Sequence, residues 1–110
     1  MKAYLCCPYS HESEQVRERR FDAANRAAAG LIEKGYNVFS PISHSHPIAK
    51  HIGNNNDSVF WVDMDLEWMR FAEIVFVLMM DGWDQSDGIK KEVLFATQND
   101  IPVQYLHVIQ

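Results

Sequence analysis

A turn that leads into a predicted helix carries the most chemically suggestive residues of this 110-residue chain. Gly82 and Trp83 are followed by Ser86, Gly88 and Glu92. A helix N-terminus presents free backbone N–H groups and the positive end of the helix dipole, so it favours an anion, and Ser86 adds a hydroxyl. Gly88 lies one helical turn before Glu92, where a ligand can approach the backbone just above the carboxylate. Spacing alone favours the plainer interpretation, in which Ser86 is a cap, Gly88 a turn residue and Glu92 a solvated side chain.

Two further candidates lie elsewhere in the chain. Asp63, Asp65 and Glu67 belong to the preceding predicted helix and point in different directions, so at most one of them can face a shared site. Tyr4 lies in a predicted buried strand, where a phenol is usually a core aromatic whose hydroxyl has a partner. Taken alone, the acidic residues are best interpreted as a solvated helix face.

The elements that would position these residues alternate between strands and helices. Short apolar runs predict buried strands, and apolar residues at helical spacing predict helices. Strands are predicted at 2–7, 36–40, 74–80 and 101–108, and helices at 14–34, 59–72 and 87–98. Serines placed to cap these helices are Ser13, Ser58 and Ser86, and Gly35 ends the first helix.

The order βαβαβαβ implies a parallel sheet with right-handed crossovers and helices on both faces. We therefore expect one α/β domain over residues 1–110, a flavodoxin- or Rossmann-like three-layer sandwich with a four- or five-stranded parallel sheet. Residues 42–57 lack a sustained period and are expected to form a long loop. The arginines of the first helix are expected to face mostly outward, namely Arg17, Arg19, Arg20 and Arg26.

Composition limits the classes of partner and compartment. A net charge of −5 and a pI near 5.4 argue against a nucleic-acid polymer, which requires a basic surface, but not against a single nucleotide. Cys6 and Cys7 are adjacent and cannot form an ordinary disulfide, which indicates a reduced, cytoplasmic protein. The apolar run at the N-terminus is too short for a signal peptide or a membrane-spanning helix, so no membrane association is expected.

The motifs together resemble a known superfamily. They are YLCCPY at 4–9, FSPI at 39–42, DLEW at 65–68, and Gly82-Trp83 followed by Ser-x-Gly-x-x-x-Glu at 86–92. This set is similar to the nucleoside 2-deoxyribosyltransferase superfamily, which also contains the 2′-deoxynucleoside 5′-monophosphate N-hydrolases. Within it, the chain most resembles a short bacterial and phage family with no assigned activity.

The resemblance implies an enzyme that cleaves an N-glycosidic bond. Glu92 would be the nucleophile, Asp65 would assist at the base or sugar, and Tyr4 would orient Glu92. Transferases of the superfamily carry aspartate where this chain has Ser86, whereas the monophosphate hydrolases carry a serine that binds the 5′-phosphate. Hydrolysis of a (deoxy)nucleoside 5′-monophosphate through a glycosyl–Glu92 intermediate is therefore expected. The alternatives are a deoxyribosyltransferase, a non-catalytic nucleotide-binding module, and a structural protein of a larger assembly.

The resemblance also implies substrate contacts and an assembly. The expected substrate-binding residues are Ser86, Gly88, Pro8, Tyr9, Phe39, His44, His46 and Trp83. His44, His46 and the later His51 could suggest zinc, but no cysteine or well-spaced carboxylate completes a set, so we expect no metal and no cofactor. Tyr4, Asp65, Ser86 and Glu92 should surround one cavity, with residues 39–46 on its rim. A homodimer or higher homo-oligomer is expected to use the helix that holds Trp61 and Trp68, with Phe71.

Overall fold

The computed structural model describes residues 1–52 and 58–108, which form an α/β fold around a four-stranded parallel sheet. The strands are β1 (Lys2–Cys6), β2 (Asn37–Phe39), β3 (Ile74–Met79) and β4 (Val103–His107). Their order in the sheet is β2-β1-β3-β4, and every neighbouring pair is parallel. The chain therefore progresses in one direction from β1 to β2 and in the other from β3 to β4. This places a topological switch point between the carboxyl ends of β1 and β3, where ligands bind in such sheets.

Within residues 1–52 and 58–108, four helices flank the sheet. They are α1 (Glu14–Glu33), α2 (Pro41–Ala49), α3 (Ser58–Met69) and α4 (Asp87–Gln98), and a 3₁₀ turn spans Trp83–Gln85. The predicted caps of α1 and α4 are confirmed, because Ser13 Oγ accepts the Val16 N–H and Ser86 Oγ accepts the Ile89 N–H. The predicted cap at Ser58 lies outside what the structure describes. Over the described ranges, no helix is both long and apolar enough to span a membrane.

Alternate residues of β1 divide the interior into two cores. Ala3, Leu5 and Cys7 face α1, where they pack with Ala24, Ala28 and Leu31. Tyr4 and Cys6 point to the opposite face and pack with residues of α3 and α4, namely Met69, Ile89 and Ala96. The predicted three-layer sandwich is therefore confirmed. The two-residue period of β1 directs the phenol of Tyr4 and the thiol of Cys6 towards α4.

The prediction of a long loop at 42–57 is wrong for its first half, because residues 41–49 form α2. Prolines usually interrupt helices, which is why the sequence suggested a loop. Pro41 instead occupies the first turn, where no intrahelical N–H is needed, and Pro47 lies near the end of the helix. Burial of His46 against α1 stabilises this short helix. Residues 53–57 of the predicted loop lie outside the described residues.

Candidate active site

Glu92 is a buried carboxyl group on the sheet-facing side of α4, with only 5% of its surface exposed. The Tyr4 hydroxyl donates a hydrogen bond to Glu92 Oε2, and the Cys6 thiol also hydrogen-bonds to this carboxyl group. Burial raises the pKa of Glu92 to about 8, and neighbouring Asp65 acts in the same direction. The hydrogen bonds from Tyr4 and Cys6 lower the pKa, because they stabilise the ionised form. Two residues of one strand thus hold the Glu92 carboxylate in place.

Asp65 is the second buried carboxyl group, and it reaches the same region from α3. It is 9% exposed, whereas Asp63 and Glu67 of the same helix are exposed, as expected for three acidic residues that point in different directions. Burial raises the pKa of Asp65 to about 7. Asp65 Oδ1 is buried and has no hydrogen-bond partner among the described residues. A buried polar atom of this kind is costly to maintain in a purely structural role, and it is common at functional sites.

The phenol of Tyr4 acts as a hydrogen-bond donor in this group. Burial, with contributions from Glu92, Cys6 and Asp65, raises the pKa of Tyr4 well above its ordinary value. Tyr4 therefore keeps its proton at neutral pH and donates a hydrogen bond to Glu92. The structure thus brings together the three residues expected to be catalytic, Tyr4, Asp65 and Glu92.

Among the residues that the structure describes, some hydrogen-bond donors at the N-terminus of α4 have no partner. Ser86 accepts the Ile89 N–H at its hydroxyl and the Lys90 N–H at its carbonyl. These bonds leave the Ser86 hydroxyl proton and the N–H groups of Asp87 and Gly88 for a ligand. A methyl group on Gly88 would make only ordinary contacts, at 3.6 Å from Val62 Cγ2 and 3.7 Å from Ser86 Oγ. The packing seen here therefore does not require glycine at this position.

His46 has a packing role that the sequence did not indicate. Its Nδ1 lies 2.5 Å from the Tyr9 hydroxyl, and its Nε2 lies 2.8 Å from Glu18 Oε1. The ring also stacks on Phe21, with 4.3 Å between centroids. His46 therefore connects α2 to α1 through Glu18, and it connects α2 to the loop after β1 through Tyr9. His46 consequently has no free nitrogen to offer a nucleobase.

The other residues expected to contact the substrate differ in exposure and packing. His44 is exposed, and its ring lies 5.8 Å from that of Phe39. Phe39 stacks on Trp68 at 5.4 Å, and Trp83 packs against the core that contains Tyr4. Pro8 is fully buried.

An open groove lies beside the edge strand β2. Its volume is about 430 Å³, and its lining includes Tyr4 and Phe39 but not Asp65, Ser86 or Glu92. This groove is therefore not the single cavity that was expected to join the four polar residues. Among the described residues, no group of three or more His, Cys, Asp or Glu side chains could hold a metal ion.

Two residues of this region were not predicted from the sequence. Cys6 was noted only for its redox state, although its position two residues after Tyr4 places it on the same strand face. Arg20 was grouped with the outward-facing arginines of α1, yet Nη1 donates to the Ser10 carbonyl at 3.0 Å. Its Nη2 donates to the Asp81 carbonyl at 3.5 Å. Four arginines within ten residues gave no signal that would single out Arg20.

Comparison with known proteins gives a family and a fold. The model of a family described as a domain of unknown function (DUF1937) matches residues 1–107. No curated protein matches this chain. Among solved structures, it is similar to a 2-deoxyribosyltransferase from the psychrotolerant bacterium Bacillus psychrosaccharolyticus, with a TM-score of 0.69 and 23% identity. The match covers 100% of this chain and 77% of that chain, so the two proteins share a fold, in agreement with the resemblance found in the sequence. The chain belongs to the DUF1937 family.

Proposed function

We propose that the protein hydrolyses the N-glycosidic bond of a nucleoside 5′-monophosphate, with Glu92 as the nucleophile. The observation that carries this proposal is the buried Glu92 carboxyl group, which accepts a hydrogen bond from Tyr4. Beside it lies the second buried carboxyl group, Asp65, one oxygen of which has no partner in the described part of the chain. Enzymes that displace a group at an anomeric carbon usually use a pair of carboxyl groups. No metal or organic cofactor takes part in this chemistry.

In the first step, one Glu92 oxygen attacks C1′ of the sugar. The bond between C1′ and the base nitrogen breaks, its electron pair leaves with the base, and an ester forms between C1′ and Glu92. Asp65, whose pKa is raised to about 7, donates its proton to the departing base in the form of the pair in which Asp65 is protonated and Glu92 is ionised. Tyr4 holds Glu92 in position for the attack.

In the second step, water attacks C1′ of the ester and releases the sugar phosphate. The Asp65 carboxylate formed in the first step accepts a proton from this water, which restores both carboxyl groups. If a second base attacks instead of water, the same intermediate gives a transfer reaction. Similarity to a 2-deoxyribosyltransferase fold supports this transferase as the second candidate function.

Ser86 and the first turn of α4 support the choice of a monophosphate. Their unused donors are the Ser86 hydroxyl and the Asp87 and Gly88 N–H groups, which suit an anion at the positive end of the helix dipole. A non-catalytic binding module could use the same donors. Lys90 and Lys91 in the first turns of α4 are exposed and therefore do not fill the site.

A chromatographic screen for free base tests this proposal. Wild-type protein is incubated with matched nucleosides and nucleoside 5′-monophosphates, beside Glu92→Gln and a control variant, Glu33→Gln, at an exposed position of α1. We expect base release by the wild type and the control and none by Glu92→Gln. If no substrate releases base, or if Glu92→Gln remains active, the proposed function is wrong.

A further inference from the structure

Arg20 joins the two loops that meet at the topological switch point of the sheet. Its Nη1 donates to the Ser10 carbonyl in the loop after β1, and its Nη2 donates to the Asp81 carbonyl in the loop after β3. A guanidinium has five N–H donors in a rigid plane, so two contacts leave donors available. Arg20 is therefore a positioned cation at the edge of the sheet where a ligand would enter.

The charge of Arg20 has no counter-ion in direct contact. Its two hydrogen-bond acceptors are neutral carbonyls, and no carboxylate of the described residues forms an ion pair with it. By contrast, Arg26 pairs with Asp22 at 2.9 Å on the surface of the same helix. The nearby Asp81 carboxylate favours the charged form of Arg20 without forming an ion pair with it. Part of the attraction of Arg20 for an added anion therefore remains.

The loop between β3 and α4 needs such a cation if it is to hold a phosphate. Residues 81–88 contain Asp81, Asp84 and Asp87 but no lysine or arginine. A phosphate dianion at the N-terminus of α4 would meet repulsion from these carboxylates. Arg20 brings a positive charge from another element to this acidic loop.

Gly82 accounts for the close approach of Arg20. A Cβ atom at residue 82 would lie 2.6 Å from Arg20 Nη2, and the φ of Gly82 is +88°. The 3₁₀ turn Trp83–Gln85 follows directly and leads to Ser86. Because such a turn advances by about 2 Å per residue, Ser86 lies roughly 6–8 Å from Gly82. Arg20 therefore lies against the start of this turn and Ser86 lies at its end, so both side chains border the same short loop.

We propose that Arg20 binds the 5′-phosphate of the substrate, opposite Ser86, and so determines the preference for nucleoside monophosphates over nucleosides. This inference rests on the proposed function and extends it with a specificity residue outside the sequence motifs. A purely structural clamp between the Ser10 and Asp81 loops would use the same two carbonyl contacts. Loss of a phosphate-binding Arg20 would lower kcat/KM on monophosphates alone, whereas loss of a structural clamp would lower kcat/KM on monophosphates and nucleosides alike.

The test compares kcat/KM for base release from a nucleoside 5′-monophosphate and from its matched nucleoside. Arg20→Gln is compared with the wild type and with Arg19→Gln, an exposed neighbour on the same helix. For Arg20→Gln we expect kcat/KM on the monophosphate to fall about 10- to 100-fold and that on the nucleoside to change less than about 3-fold. Arg19→Gln should leave both values unchanged. Calorimetric titration with the monophosphate compares Glu92→Gln with the double variant Glu92→Gln/Arg20→Gln. The double variant should bind the monophosphate about 10- to 100-fold more weakly.

The outcomes separate this inference from the proposed function. If kcat/KM falls equally on both substrates in Arg20→Gln, Arg20 is a structural clamp and the inference is overturned. A preference for the monophosphate that is unchanged in Arg20→Gln also overturns it. If circular dichroism shows Arg20→Gln to be unfolded, Arg20→Lys decides, with an expected loss of preference of about 3- to 10-fold because the bidentate fork is gone. An unchanged preference in Arg20→Lys then overturns the inference. Absence of base release by the wild type would instead reject the proposed function itself.

Discussion

Glu92 and Asp65 are two carboxyl groups removed from water near one another, and this arrangement sets their chemistry. Burial penalises the charge on each, which raises the pKa of Asp65 to about 7 and that of Glu92 to about 8. The two groups interact, so they titrate as a pair over this range. When the pair holds one proton, the higher pKa of Glu92 places that proton more often on Glu92. The proposed reaction uses the less populated form, in which Glu92 is ionised and Asp65 is protonated.

The activity should therefore depend on pH as a bell with its maximum near pH 7–8. Below this range both groups hold protons and no nucleophile is present. Above it both are ionised and no proton is available for the base. The pH dependence of kcat/KM for base release measures this directly. Asp65→Asn should remove the alkaline limb, and a wild-type profile that is flat from pH 5 to pH 9 would contradict the assignment.

Ser86 combines a structural role with a proposed substrate contact, and two variants separate them. Ser86→Ala should narrow the preference for monophosphates about 10- to 100-fold, because a hydrogen bond to a charged group is lost. It should also cost about 1 kcal/mol of unfolding free energy, because the cap of α4 is lost. Ser13→Ala removes the corresponding cap of α1 and should lower stability alone. Urea unfolding measures the loss of stability, and the ratio of kcat/KM on the monophosphate to kcat/KM on the nucleoside measures the preference. If this ratio is the same in Ser86→Ala and Ser13→Ala, Ser86 does not contact the phosphate.

Much of the candidate catalytic group could be predicted from motifs, but the residues that contact it could not. Glu92, Asp65 and Tyr4 follow from the resemblance, and the structure brings them together. The contacts of Cys6 and Arg20 depend on which strand face and which loop each side chain reaches, and hydrophobic periodicity does not specify this. The packing contacts of both His46 ring nitrogens were likewise not predictable, because they depend on residues of other elements.

At the scale of elements, turn and cap chemistry made α1 and α4 predictable. α2 was missed because its two prolines resemble helix breaks when its contacts with α1 are unknown. The stability of such a short helix comes from tertiary packing rather than from propensity. The strands were predicted correctly in type and number, with ends that differ by one or two residues.

Gly35 tests the account of how α1 ends. Its φ is +101°, and a Cβ at this position would meet no atom within 4 Å, so Gly35→Ala should destabilise through backbone strain alone, by about 1 kcal/mol. Gly30 lies within α1 and also has open space around it, so Gly30→Ala should instead stabilise by about 0.5–1 kcal/mol. Chemical denaturation of both variants measures the difference. The same sign for both changes would contradict the proposed role of Gly35.

At the scale of the whole molecule, one surface is unusually apolar. Trp68 is 53% exposed and Phe71 is 66% exposed, and both line the open groove beside β2. Contiguous apolar surface of this kind usually marks an interface. We therefore retain the prediction of a homo-oligomer that uses this surface. Trp61, which was expected to contribute, is half-buried.

Multi-angle light scattering tests the assembly. The wild type should be a dimer or larger at micromolar concentration, and Phe71→Glu should shift it to a monomer, because a charge would be buried in the contact. Leu94→Glu, at an exposed apolar position of α4, is the control and should leave the assembly intact. A monomeric wild type would show that the apolar surface serves another purpose.

The most direct test of the central claim is to trap the ester between Glu92 and the sugar. A nucleoside 5′-monophosphate with fluorine at C2′ slows breakdown of the intermediate, since fluorine destabilises positive charge at C1′. Intact-protein mass spectrometry should then show addition of one fluorinated sugar phosphate with release of one base, and peptide fragmentation should locate the label on Glu92. A label on another residue, or equal labelling of Glu92→Gln, would contradict the account.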